Sequence, residues 1–262
     1  MLKDPMLKNP MLENKVALII GASTAGGIGE ATARLFVHEG AKVVVSARRL
    51  KEAQGIAAGV GAEALACDLT DESQVETLMQ AVFAKHQRLD TLVIVAGAHA
   101  SQSVDQLTRE TLLRCFELNV IGPAAAIKHA ARLMHGGGSI IYVSSAAAEL
   151  NTFGVAAYGS SKAAGERLVE VAALEYAARG IRVNTLQPGM LVTAMSEAAM
   201  KRPGFQRAFE RETPLGRLAT VSEVAAAAAW LASDGCYTTG DRIRVAGGVH
   251  LRRHPMPDEF QP

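Results

Sequence analysis

The 262-residue chain is short of the features that define several protein classes. Cysteine is scarce: Cys67, Cys115 and Cys236 lie far apart and form no CxxC pair. That count gives no disulfide framework and fits a reducing compartment. No apolar run approaches the roughly 18 residues of a membrane span. The chain opens on a charged, proline-containing pentad repeat, MLKDP, MLKNP, MLENK, over residues 1–15, without the apolar core of about 7–15 residues that a secretory signal needs. A cytoplasmic location without a membrane partner is expected, and residues 1–14 read as an extension. Charge of one sign is also lacking, since 27 Lys+Arg against 26 Asp+Glu leave +1. A sequence-independent nucleic-acid binder would carry a basic excess. With 49% hydrophobic residues the chain is not a disordered one. At this length a chain buries roughly 70–75% of its unfolded surface and needs no staples.

What is present is an alternation. Short β-branched runs at 16–20, 42–46, 92–96, 139–143, 182–187 and 242–245, with a weaker one at 62–66, predict strands. Stretches at 30–39, 73–86, 112–134, 158–179 and 222–232 carry apolar residues near i, i+3, i+4 and i+7 and predict helices. The strands are mostly apolar rather than alternating, as in a sheet covered on both faces. Strand–helix–strand succession implies an α/β, Rossmann-type doubly wound, mainly parallel sheet of seven strands. No linker splits residues 15–248, so one domain is expected, followed by a tail at 249–262. In such folds ligands bind beyond the carboxyl ends of the strands.

The first strand runs into Gly21-Ala-Ser-Thr-Ala-Gly26-Gly27-Ile-Gly29, which opens a helix. Glycines let backbone approach a pyrophosphate, and a helix N-terminus offers free N–H groups and a positive dipole end. The alternative is an ordinary turn, but its place in the first βα unit favours dinucleotide binding. After the second strand, where an acid would hold the ribose 2′-hydroxyl of NAD, stand Ala47, Arg48 and Arg49. Guanidinium groups there favour the 2′-phosphate of NADP(H) over NAD(H); the alternative is two solvated surface arginines. Asp68 either accepts from the adenine amino group or caps the next helix with Thr70 and Asp71.

Tyr158 and Lys162 sit at i and i+4, on one helix face. A cation beside a phenol stabilises phenolate and lowers its pKa toward the working range. Ser145 ends the fifth strand, where its hydroxyl would face the same cleft, and Asn119 lies within the helical stretch 112–134. A structural role or a bound water suits an asparagine there.

Together these residues resemble the short-chain dehydrogenase/reductase family from about Lys15 to Gly248. The similarity rests on the glycine turn, Asp68, Asn119, Ser145, Tyr158 and Lys162 in order. It extends to Asn184-Thr-Leu-Gln-Pro188-Gly189-Met-Leu-Val-Thr193 and to Gly240 and Gly247-Gly248. The resemblance implies hydride transfer between nicotinamide and a carbonyl or alcohol carbon, with no metal, because the cofactor carries the difficult chemistry. Tyr158 would be the general acid/base, and Ser145 would hold the substrate oxygen. Lys162 would lower the tyrosine pKa and bind the nicotinamide ribose, and Asn119 would hold a water in a proton relay. The dinucleotide would meet Gly21, Ser23, Gly27, Ile28, Gly29, Arg48, Asp68, Leu69, Ala96, Gly97, Tyr158, Lys162, Pro188, Gly189, Leu191 and Thr193.

Three departures stand out. Gly21 to Gly27 spans five intervening residues where the family has three, which leaves Gly26 and Gly27 as alternatives for the phosphate contact. Divergent enoyl reductases have a longer turn but a Tyr–Lys pair six residues apart, absent at Tyr158. The usual Asn-Asn before Ala-Gly is Ile94-Val95, and the Asp before the late Gly-Gly is Ala246.

Residues 190–212 are expected to form a substrate lid with Met195, Met200, Phe205 and Phe209 as its apolar side chains. That set suits an apolar or ring-containing substrate, or else it merely packs the lid. A 3-oxoacyl-thioester reductase is the alternative, disfavoured because residues 134–138 carry no Lys or Arg for an acidic carrier. An NAD-dependent alcohol dehydrogenase is another, and a non-catalytic dinucleotide-binding protein is a third of a different class. His99, after the fourth strand, either lines the cleft or is a solvated loop residue, the latter being expected. His250 and His254 have metal-ligand spacing without a third ligand. The composition of the tail, with Arg252, Arg253 and three prolines, allows it to pack across a neighbouring subunit. Family members are commonly homotetramers through 112–134, 158–179 and the last strand.

Overall fold

The computed structural model describes residues 10–194 and 196–260; residues 1–9 of the pentad repeat and the lid's Met195 lie outside them. Seven strands, β1 (Val16–Ile20), β2 (Lys42–Ala47), β3 (Glu63–Ala66), β4 (Thr91–Ile94), β5 (Gly138–Val143), β6 (Ile181–Pro188) and β7 (Arg242–Val245), form one sheet in the order 3-2-1-4-5-6-7. Every pairing is parallel. Nine helices cross between them among the described residues: α1 (Ile28–His38), α2 (Leu50–Val60), α3 (Glu72–His86), α4 (Arg109–Phe116), α5 (Gly122–Leu133), α6 (Ala156–Tyr176), α7 (Glu197–Met200), α8 (Phe205–Glu212) and α9 (Val221–Ala232).

The period-2 geometry of β1 sorts its side chains between two cores. Val16, Leu18 and Ile20 pack with Val75 and Met79 of α3, Ala126 of α5 and Val169 of α6. Ala17 and Ile19 face Phe36 of α1, Ala57 of α2 and Val224 of α9. All five β1 residues are buried, which is why the run is apolar without alternation. Leu12 belongs to this packing too: its N–H donates to the Glu39 carbonyl, and its side chain joins the α1–α9 core.

Three local features differ from the expectation. Helix α2 goes unmarked in the sequence because Gly55 and Gly59 weaken its helix propensity. Its buried face, Ala53, Ile56, Ala57 and Val60, still has helical spacing. The strand at 92–96 stops at Ile94, since Val95 and Ala96 both donate to the Ile20 carbonyl, at 2.8 and 2.9 Å, which an extended strand cannot do. The stretch 112–134 is broken by a π-turn at Glu117–Ile121. Pro123 has no N–H for the carbonyl four residues back, that of Asn119, and the freed oxygen accepts from the Tyr142 hydroxyl at 2.9 Å.

Sheet order reverses between β1 and β4, the switch point where ligands of open α/β sheets bind.

Candidate active site

Loops leaving six of the strands converge on a cleft of about 1690 Å³, lined by Gly21, Arg48, Asp68, Gly97, Ser145 and Gly189 among others. Ser23, Gly27, Ile28, Gly29, Leu69, Ala96, Tyr158, Lys162, Pro188, Leu191 and Thr193 also reach it. Of the residues singled out from the sequence, Asn119 stands back from this surface, fully buried.

The long glycine turn folds its extra residues onto themselves. Gly26 donates to Glu30 Oε2 at 2.7 Å and Gly27 to the Thr24 carbonyl at 3.1 Å, so neither N–H is free for a ligand. The Glu30 carboxyl is held below its usual range first by that Gly26 N–H and then by Arg34. The first N–H groups of α1 have no intrahelical acceptor, and Gly27 brings no side chain to cap them. Gly29 is set by packing: a Cβ there would lie 2.7 Å from the Gly21 carbonyl oxygen. At the β2 end, Arg48 lies 3.9 Å from Asp68, and Arg49 reaches the Ser23 hydroxyl and carbonyl at 3.4 Å. Both guanidinium groups border the cleft. Asp68 accepts from the N–H and hydroxyl of Thr70, while Asp71 caps α3.

Opposite this end, Tyr158 and Ser145 line the same wall of the cleft. Burial holds the Tyr158 phenol above its usual value of 10, with the nearby Ser145 hydroxyl pulling the other way. Lys162 is 3% exposed, donates to the Val143 carbonyl at 2.8 Å and is drawn down to about 7 by burial, against the opposing pull of Glu166. The expectation that a cation brings the phenol down is therefore not met in this state of the cleft: desolvation dominates both groups. The Asn119 amide is fully engaged. Its Oδ1 accepts from the Ala98 N–H at 3.0 Å, and Nδ2 donates at 2.9 Å to both the Ala98 carbonyl and Ser161 Oγ. It ties the loop after β4 to α6, a bracing that Ile94 and Val95 cannot supply. The Ala246 departure has a steric counterpart, since a Cβ on Gly189 would lie 3.0 Å from Ala246 Cα.

Two groups of cleft residues depart from the expectation. His99 is not a free loop residue: its ring lies 4.9 Å from that of Tyr158. The tail folds back on its own lid. Phe260 packs 4.9 Å from Phe205, and His254 lies 5.5 Å from Phe209. Arg253 grips Glu259 with two bonds, 2.6 and 2.7 Å, and also meets Glu212 of α8 at 3.3 Å. His254, Pro255, Pro257 and Phe260 thereby line the same cleft as Tyr158. Only the composition of the tail, with an aromatic and three prolines, hinted at this.

Acid should loosen the tail. Burial lowers His254 from 6.5 to about 4, so the docked tail refuses a proton that a released tail accepts. Docking is strongest above about pH 6.5 and weakens as pH falls toward 4. Glu259, held by Arg253 at about 2 against a usual 4.5, adds a loss that begins below about 4.5. Amide exchange at 252–260 should accelerate between about pH 7.5 and 4.5 relative to the β-strands; parallel profiles for tail and strands would contradict this.

The comparisons with known proteins agree with this geometry. The family model described as enoyl-(acyl carrier protein) reductase matches residues 21–250. A short-chain type dehydrogenase/reductase from Mycobacterium ulcerans superposes with a TM-score of 0.90 at 32% identity, covering 93% of this chain and 92% of the other. The chain belongs to the short-chain dehydrogenase/reductase family. Among its relatives is an uncharacterised oxidoreductase of Methylorubrum extorquens, 35% identical over 90% of this chain and 98% of that protein. Another is the cis-4-hydroxycyclohexanecarboxylate dehydrogenase of Sinomonas cyclohexanicum, 37% identical over 89% and 96%. As a short-chain dehydrogenase/reductase the protein is an oxidoreductase acting on CH–OH and carbonyl groups with a nicotinamide dinucleotide. The site fits such a cofactor: Gly21 and Gly29 leave no room for a Cβ, and an uncapped helix N-terminus faces the cleft beside two arginines. Among the described residues no helix is long and apolar enough to cross a membrane.

Proposed function

We propose that the protein is an NADP(H)-dependent oxidoreductase for an apolar or ring-containing carbonyl or secondary alcohol. The observation that carries the reading is that Ser145, Tyr158 and Lys162 line one cleft whose other end is a glycine turn flanked by Arg48 and Arg49. The bound dinucleotide supplies or takes the hydride. Ser145 holds the substrate oxygen, and Tyr158 gives that oxygen its proton during reduction and removes it during oxidation. A phenol kept above its usual pKa is fully protonated near neutrality, which suits the acid role. Lys162, at about 7, exchanges protons at working pH and replenishes the tyrosine. Asn119 acts as a positioning residue through Ala98 and Ser161.

The substrate reading is supported by Phe205, Phe209 and Phe260 on the cleft wall and by the cyclohexane ring in the name of one relative. Assembly as a homotetramer is supported by Leu113, Ile121, Val171 and Leu174, apolar yet exposed on α4, the π-turn and α6.

The cofactor preference is tested by titrating the protein with NADPH and NADH separately, following nicotinamide fluorescence. NADPH should bind more tightly, and Arg48→Ala should weaken it about tenfold, the worth of one charge-assisted bond at an exposed site, while changing NADH about twofold or less. Equal losses for both would mean that Arg48 does not meet the 2′-phosphate. Tighter NADH in the unaltered protein would make NAD(H) the cofactor.

A further inference from the structure

The tail places a polar group in an otherwise apolar wall. Phe205, Phe209, Phe260, Pro255 and Pro257 line this part of the cleft, and His254 stands among them. Its side chain is 7% exposed, and its Nδ1 has no hydrogen-bond partner among the described residues. An unpaired buried polar atom destabilises the fold, and a phenylalanine or leucine would fill the place without that cost. The position is also held firmly, by Arg253 on Glu259 and Glu212 and by the Phe209 ring. It lies beyond residues 21–250, the part of the chain that the family model matches.

Resting on the reading of this cleft as the substrate compartment, we propose that His254 is a specificity-determining residue that hydrogen-bonds a second oxygen of the substrate, remote from the carbon that exchanges hydride. The substrate class is then a ring alcohol or ketone bearing a further hydroxyl or carbonyl, rather than a plain hydrocarbon ketone. Burial keeps the imidazole neutral near pH 7, which matches a neutral oxygen better than a carboxylate. A ring turn about its terminal torsion exchanges Nδ1 with a carbon, so the free nitrogen can be presented to the cleft without moving the backbone.

The test uses the full chain with cyclohexanone and 4-hydroxycyclohexanone as probes, in the unaltered protein, His254→Leu and His254→Gln. The preference for the hydroxylated ketone in kcat/KM should fall about tenfold in His254→Leu, the worth of one neutral hydrogen bond, and should do so through KM. His254→Gln, which keeps a donor and an acceptor, should restore part of it. Thermal melts and NADPH affinity of the variants show that they are folded. An unchanged preference, or a loss in kcat with KM intact, would overturn the assignment. If the unaltered protein turns over neither ketone with either dinucleotide, the proposed activity on ring ketones fails, and His254 is judged by binding alone. In the dead-end complex with NADPH, 1,4-cyclohexanediol should then bind more tightly than cyclohexanol, and His254→Leu should abolish the difference. Equal binding of the two, or no binding of either, would overturn it.

Discussion

Tyr158→Phe is expected to lower kcat about 10³-fold, some 4 kcal/mol of transition-state stabilisation, while NADPH affinity stays within about twofold. The substitution removes one oxygen and keeps the ring, so the contact with His99 at 4.9 Å survives. What disappears is the hydroxyl beside Ser145 in the cleft, the group assigned to carry the proton. Ser145 would still hold the substrate oxygen, but an alkoxide forming in a desolvated site would have no proton donor, and the barrier rises by the missing transfer. The pH dependence has a defined sign. Reduction needs the phenol and should fall away at alkaline pH, whereas oxidation needs the phenolate and should rise with pH, because burial places the phenol above 10. Steady-state rates in both directions, with a separate dinucleotide titration, measure this. Retained turnover in the phenylalanine variant would defeat the mechanism, whatever the substrate.

Gly21→Ala should cost about 3 kcal/mol or more of stability and lower the melting temperature by roughly 10 °C, with dinucleotide binding lost in the fraction that folds. Two independent costs meet at this residue. Its φ of +106° lies where side-chain-bearing residues rarely go. A Cβ would also fall 2.7 Å from Ala96 Cα and closer still to the Ala96 nitrogen. The obstacle is backbone, held by the Ala96 N–H on the Ile20 carbonyl, so no rotamer change relieves it. Gly26→Ala is the control, since it has a positive φ but no atom within 4 Å of a Cβ. It should lose only the backbone strain, about 1 kcal/mol. Equal melting temperatures for the two variants would show that contact with the β4 loop does not matter.

These contrasts mark how far residue order reaches. Local signals were enough for the strands of a sheet covered on both faces, for helices with a clean apolar stripe and for a glycine turn between strand and helix, because each is written within a few residues of itself. Tyr158 and Lys162 were legible for the same reason, four residues apart on one helix face. Spacing could not say which of Gly26 and Gly27 has a free N–H; the turn closes on Thr24 and Glu30 and leaves neither. Nor could it give the ionisation of Tyr158 and Lys162, since burial, a property of the assembled sheet and helices, outweighs the neighbour effect that spacing suggests. Asn119 was visible as an odd helix residue, but its partners Ala98 and Ser161 lie 21 and 42 residues away.

The tail is the sharpest case. Residues 252–260 contain arginines, prolines, a histidine and a phenylalanine, a composition equally compatible with solvent, a neighbouring subunit or the chain's own lid. The choice rests on side chains distant in sequence, Glu212 for Arg253 and Phe205 and Phe209 for Phe260 and His254. Periodicity and motif order thus specify the sheet and the reacting residues, whereas long-range packing and desolvation specify the shape of the substrate compartment and the protonation of the groups within it.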